Sequence, residues 1–225
     1  MYAAAYAANP SDPREAMTSV PSELVLIGGG GHAVVVAEAA RASGIRVVGV
    51  YDDDERCAAC REPDGAQWLG PLAHAGELDS PWILSLGDLG LRAAVLARLT
   101  SAGAPAERVL HPSAVISPTA TLGRGVFVGP LAVVHARARV AAHAIVNTGA
   151  IVEHDCEIGE NVHLAPRCVL GGAVRVGANT LVGLGAAVLP GLAIGARCTL
   201  GAGAVVRGGV DENARVVGVP ARPLH

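Results

Sequence analysis

Residues 140–176 read V-AAHAIV-NTGAIV-EHDCEI-GENVHL-APRCVL-GGAVRV, and every block of six closes on an aliphatic residue. Counting on in both directions gives Ile116, Leu122, Val128, Val134, Val140, Val146, Val152, Ile158, Leu164, Leu170, Val176, Val182, Val188, Ile194, Leu200 and Val206, sixteen aliphatics in register without an exception. The next residue is often glycine, as at Gly123, Gly159, Gly177 and Gly195. Four places after the aliphatic comes a small or β-branched residue such as Ala144, Cys156, Cys168, Thr180, Cys198 or Ala204. Hydrophobic residues are 51% of the chain, so an unbroken run of sixteen is not a matter of chance. A period of six predicts a solenoid in which each hexad forms one short flat face and three hexads close a triangular coil. Stacked coils then bury the aliphatic column, and ninety-six residues at eighteen per coil make about five coils. The column of small residues places Cys156, Cys168 and Cys198 in the core, where they need no redox or metal role.

The composition agrees with a regular interior. Aromatics are only 3% of the 225 residues, so the core is built from Ala, Val, Leu, Ile and Gly. A net charge of −3 leaves no electrostatic footprint for nucleic acid or an anionic membrane. All 17 basic residues are Arg, which excludes Schiff-base chemistry and a Walker phosphate lysine. The five Cys fit no spaced disulfide framework, and no stretch has the length of a membrane span, so a reducing, cytoplasmic location is expected. Residues 1–21 are expected to form a disordered tail, and Met17 is a possible natural start.

Upstream of the repeat the pattern changes to strand, glycine turn and helix: LVLI from Leu24, then Gly28 to Gly31, then His32 running into VVVAEAARASG. A second strand, IRVVGVYDDD, follows, then a polar loop over about residues 53–71, a strand at Trp82–Leu86 and a helix LRAAVLARLTSAG. This predicts a small α/β, Rossmann-like domain at 22–105, about half of a dinucleotide fold, before the β-solenoid at 106–211 and a C-terminal segment at 212–225. Gly28, Gly30 and Ala33 fit G-x-G-x-x-A, in which glycines let a phosphate approach the backbone at a helix N-terminus. Asp52 and Asp53, at the end of the second strand, are placed to accept hydrogen bonds from a ribose or base. A tight strand-to-helix turn without a ligand is the alternative.

The repeat holds four histidines, His135, His143, His154 and His163. His154 lies between Glu153 and Asp155, two places after an inward Val152, and a carboxylate beside an imidazole fixes its tautomer and raises its basicity. This makes His154 the candidate general base. Zinc held by three His is the competing chemistry of such a solenoid, but spacings of 8, 11 and 9 put no close pair on one coil face. The lone C-x-x-C of Cys57 and Cys60 lacks the second ligand pair that zinc needs.

The stretches IGGGGHAVVV, VYDDD, LSLGDLGLR, NTGAIVEHDCEIGENVHLAP, VGLGAAVLPG and VVGVPARPL resemble those of bacterial nucleotide-sugar N-acetyltransferases that modify 4-amino sugars of the bacillosamine and perosamine type. The resemblance implies a left-handed β-helix, a homotrimer with sites between subunits, and acetyl-CoA as co-substrate without a metal. It implies that Gly29, Gly30, His32, Asp52, Asp53, Gly87 and Arg92 hold or shape the place of a UDP- or GDP-linked amino sugar. It further implies that His154 is the base, Asp155 its orienting partner, that Asn147 and His163 lie near the acetyl thioester, and that Gly172, Leu184 and Ala202 line the pantetheine groove. The sequence departs from the family at Val34, where relatives often carry Lys. O-acetylation of a sialic-acid-like sugar and a non-catalytic scaffold remain as alternative readings.

Overall fold

A computed structural model describes residues 21–76, 78–99 and 105–224. The expected N-terminal tail, with Met17, lies outside the described residues. The first elements are β1 (Glu23–Ile27), α1 (Gly31–Ala42), β2 (Arg46–Tyr51), α2 (Ala58–Arg61), β3 (Gln67–Gly70), β4 (Trp82–Leu84) and α3 (Leu89–Leu99). The helix expected over LRAAVLARLTSAG is described as far as Leu99, and its remainder lies outside the described residues. The four strands form one parallel sheet in the order β3-β2-β1-β4.

Both faces of this sheet are covered, as a parallel sheet requires. Leu24, Leu26, Val50 and Ile83 pack on Ala33, Val36, Ala37 and Ala40 of α1, while Val25, Ile27, Trp82 and Leu84 pack with Val95 and Leu99 of α3. The segment read as a polar loop holds two elements, α2 and the edge strand β3. Trp68 and Leu69 of β3 are 38% and 39% exposed, so the strand lacks the buried alternation by which a strand is read from sequence.

The repeat folds as a left-handed parallel β-helix, each hexad giving one two-residue strand whose second residue points inward. Strands eighteen residues apart pair in parallel, as in Arg139↔Glu157 and Ile151↔Val169. The stack begins one hexad earlier than the sixteen-residue register, because Val109–Leu110 pairs with Phe127–Val128. Cys156, Cys168 and Cys198 lie in the core as expected, at 0%, 0% and 1% exposure. Thr180 shares their column and satisfies its hydroxyl by donating to the Gly195 carbonyl and accepting from the Cys198 N–H.

Every corner from Leu131 to Gly203 carries a residue in the left-handed region, three places after the inward aliphatic, with φ between 53° and 73°. Asn and Gly take this conformation readily, and β-branched residues are absent from the column.

The outward residues give the three faces different characters. On the first face Phe127 and Ile145 are buried beneath the N-terminal domain and belong to the core that α1 shares with the sheet. The second face presents Val115, Val133, Ile151, Val169, Ala187 and Val205, with Val115 62% exposed. The third presents Thr121, Arg139, Glu157, Arg175 and Ala193, with Arg139 and Glu157 paired at 3.4 Å.

Candidate active site

The chain turns from the second face to the third through Glu153, His154, Asp155 and Cys156. Asp155 occupies the left-handed corner position at φ 61°. Its Oδ2 accepts from Nδ1 of His154 at 2.8 Å. The same carboxylate is gripped from the preceding coil by Arg137, with Nε donating to Oδ1 at 2.6 Å and Nη2 to Oδ2 at 2.7 Å. The hydrogen bond from Arg137, and then that from His154, hold the Asp155 carboxyl well below the usual carboxylate range. An ionised partner at Nδ1 keeps the proton there and leaves the Nε2 lone pair available. The ring's other edge lies over the next coil, where a Cβ on Gly172 would be 2.6 Å from both Cε1 and Nε2.

A second group gathers where the N-terminal domain meets the first face. Asn147 and His163 are hydrogen-bonded, Nδ2 to Nε2, at 3.2 Å. The Asn147 Oδ1 accepts the Thr148 N–H at 2.8 Å, so its NH₂ faces His163 and the ring nitrogen is the acceptor. Burial lowers His163 to about 4, helped by the Arg92 cation and opposed by a hydrogen bond to the Gly87 backbone. His32 lies 6.2 Å from His163 between ring centroids and edge-on to Phe127 at 5.4 Å. Burial, followed by His163 and Arg92, lowers it to about 4 as well, and its buried Nε2 has no hydrogen-bond partner among the described residues.

Arg92 stands behind this group at 1% exposure. Its Nε donates to Asn161 Oδ1 at 2.8 Å, Nη1 to the carbonyls of Leu84 and Leu86, and Nη2 to the carbonyl of His143. Burial lowers the guanidinium to about 9. Arg92 therefore joins α3 and the end of β4 to the solenoid corners, and its donors point into the protein.

The glycine turn is braced by the acids that follow β2. Asp52 accepts the Gly29 N–H through Oδ2 at 2.6 Å and the Asp54 N–H through Oδ1 at 2.9 Å. Asp53 Oδ1 accepts the Leu72 N–H at 3.0 Å. The Gly29 carbonyl accepts from Ala59 at 2.9 Å, and a Cβ on Gly29 would meet Cys57 Sγ at 2.3 Å, so this position requires glycine. Cys57 and Cys60 are free thiols with sulfurs 3.2 Å apart, and burial pushes Cys60 up to about 12. A Cβ on Gly30 would meet nothing within 4 Å, which leaves the α1 N-terminus open for a ligand to approach.

Within one chain these groups fall in two places. His154, Asp155 and Gly172 share the corner between the second and third faces. Asn147 shares the corner between the first and second faces with Leu184 and Ala202, which are exposed and stacked one coil apart. The apolar second face lies between the two corners. Arg137 is the site residue that sequence reading missed; it lies eighteen residues, one coil, before Asp155. Among the described residues no three His, Cys, Asp or Glu side chains converge as a metal site.

A triangular β-helix bearing a carboxylate-oriented His on one corner, joined to a half-Rossmann sheet with an open glycine turn, defines a hexapeptide-repeat acyltransferase. Residues 23–99 match the family described as PglD N-terminal domain. Curated sequences contain no match. Among solved structures the chain is similar to PerB from Caulobacter crescentus in complex with CoA and GDP-perosamine. The two share 37% identity over 90% of this chain and 97% of that one, with a TM-score of 0.82. It is also similar to the acetyltransferase domain of PglB from Neisseria gonorrhoeae FA1090 in complex with acetyl coenzyme A, at 32% identity over 91% and 100% of the chains and a TM-score of 0.83. WeeI from Acinetobacter baumannii AYE shares the fold at 22% identity over 89% and 99% of the chains and a TM-score of 0.76. The chain belongs to the nucleotide-sugar N-acetyltransferases of the hexapeptide-repeat family, enzymes with acetyl-CoA as co-substrate. The scaffold and O-acetylation readings give way to this membership.

Proposed function

We propose that the chain acetylates the 4-amino group of a GDP- or UDP-linked amino sugar, with His154 as general base in a site completed by a second copy of the chain. The observation that carries this reading is the His154–Asp155 pair, oriented at 2.8 Å beside Gly172. A sugar amine is partly protonated near neutral pH and must lose a proton as it attacks. His154 Nε2 takes that proton while nitrogen bonds to the thioester carbonyl carbon and the carbon–sulfur bond breaks. The proton then passes to the departing CoA sulfur, so no acyl-enzyme is needed. Cys156 is a poor alternative nucleophile, because burial raises its thiol.

The nucleotide-sugar is assigned to the domain at 22–105, at Gly29, Gly30 and His32, with Asp52 and Asp53 toward the nucleoside and Gly87 and Arg92 shaping the pocket wall. PerB's GDP-perosamine supports a GDP-linked acceptor. Asn147, His163, Gly172, Leu184 and Ala202 are assigned to acetyl-CoA, in the solenoid domain at 106–211. The apolar second face supports a homotrimer, in which packing on that face would set one copy's His154 corner beside its neighbour's Asn147 corner. Among the described residues no helix is long and apolar enough to cross a membrane, and five free thiols suit the cytoplasm.

Incubation with acetyl-CoA and a panel of UDP-, GDP- and dTDP-linked 4-amino sugars, read by mass, tests the reaction. The expected result is one acetyl group added to one class of sugar, and no transfer to any of them overturns the assignment. His154→Ala should lower kcat by about 10²–10⁴ with KM little changed. Unchanged turnover removes His154 from the mechanism.

A further inference from the structure

Arg137 and Asp155 occupy the same corner of successive coils, both in the left-handed region, at φ 59° and 61°. The backbone ties this corner together: Asp155 N–H donates to the Ala136 carbonyl at 3.0 Å, and Ala173 N–H to the His154 carbonyl at 2.8 Å. On this ladder the guanidinium meets the carboxylate with two parallel bonds of 2.6 and 2.7 Å, and Oδ2 also receives His154 Nδ1 at 2.8 Å. Three side chains thus form one line, Arg137 to Asp155 to His154, ending at the ring whose far edge rests on Gly172.

We propose that Arg137 is a positioning residue of the acetyl transfer, fixing the plane of the Asp155 carboxylate so that His154 presents Nε2 to the acceptor amine. The inference rests on the reading of His154 as the base. Two observations require such a device. Within one chain the side chains of His154 and Asp155 are 58% and 39% exposed, so packing by their own chain does not hold either in one rotamer. A carboxylate with a single hydrogen bond turns freely about its last torsion, whereas a planar fork that fills both oxygens removes that freedom. Of the other titratable groups at this corner, Glu153 lies 3.7 Å from His135 and accepts the His154 N–H at 3.4 Å, and Cys156 donates to the Gly171 carbonyl, so none of them replaces the fork on Asp155. Arg137 touches no reacting atom in this arrangement and acts through Asp155.

The test is a double-mutant cycle on the full-length enzyme. Arg137→Ala is expected to lower kcat by about tenfold or more, with KM for both substrates within about twofold. Arg137→Lys, which keeps the charge but offers one contact, should fall between Arg137→Ala and the parent. In a His154→Ala background Arg137→Ala should cost nothing further, because the line no longer ends on a base. Three results would overturn the proposal: unchanged kcat in Arg137→Ala, the same fold loss in the His154→Ala background, or a raised KM at constant kcat. If His154→Ala itself turns over like the parent, the base assignment fails and the positioning role with it. A silent Arg137→Ala beside an inactive His154→Ala instead fails the positioning role alone. Arg137 is 65% exposed within its own chain, so each variant should keep the parent fold, as circular dichroism would show.

Discussion

Gly172→Ala isolates the position of the His154 ring from the stability of the fold. The new methyl carbon would sit 2.6 Å from Cε1 and Nε2 and 3.3 Å from Cδ2. Carbon atoms in contact rest at about 3.5–4.0 Å, so the ring must move by about 1 Å. It can do so within its own chain, because the side chain is 58% exposed there. Gly172 is also not among the residues in the left-handed region, so alanine adds no backbone strain. The fold should therefore lose less than about 1 kcal/mol. Catalysis should suffer far more, because a 1 Å shift breaks the 2.8 Å bond to Asp155 and moves Nε2 away from the amine. Misplacement on that scale costs about 10²-fold in rate. Steady-state kinetics with both substrates varied, beside a thermal melt, reads both quantities. A kcat within about twofold of the parent would refute the placement of the ring over Gly172 during reaction. A raised KM for acetyl-CoA with unchanged kcat would show that the methyl blocks the cofactor and leaves the base where it was.

Arg92→Ala removes a buried cation and leaves the acceptors on Leu84, Leu86, His143 and Asn161 unfilled, so it should destabilise the protein by about 3 kcal/mol, seen as a fall in Tm of about 6–12 °C. A melt unchanged within error would mean that the latch between α3 and the solenoid is dispensable. Ile151→Arg, on the apolar second face, should leave each chain folded by circular dichroism, dissociate the proposed trimer in light scattering and abolish turnover; an active monomer would rule out a shared site. His32, His143 and His163 stay neutral in the fold down to about 4 but titrate near 6.5 when unfolded, so below 6.5 the unfolded chain takes up protons that the folded one refuses. Stability should therefore fall as pH drops from about 6.5 toward about 4, with up to three protons bound on unfolding, and urea midpoints across that range would show it. A midpoint that stays level there would contradict the burial of these rings.

The solenoid was legible because each hexad repeats one local demand: an aliphatic inward, a small residue beside it and a corner residue tolerant of left-handed backbone. The edge strand β3 was not, since its tryptophan and leucine face outward and carry no two-residue alternation. His154 and Asp155 were readable as sequence neighbours. Arg137 was not, because its partner is adjacent only through stacking. Counting eighteen residues forward pairs Arg137 with Asp155 and Arg139 with Glu157, so the signal lay in the repeat length and not in the local motif. The same count puts His154 and His163, nine residues apart, half a coil from each other, which explains why one chain does not bring them together. Asp52 and Asp53 sit where the second strand ends, as read, but their hydrogen bonds to Gly29 and Leu72 arise from loop geometry that sequence spacing does not encode.

A stack of parallel coils offers a growing edge at its end, where one more strand of any chain would find its hydrogen bonds waiting. Here the last full coil is shortened to sixteen residues, Thr199 pairing with Arg215, and the chain then doubles back as Arg222–Pro223 against Val216–Val217 in the antiparallel sense. A reversed strand breaks the template, and Pro223 has no N–H to extend it. The C-terminal edge of the first face is thereby closed to a further parallel strand.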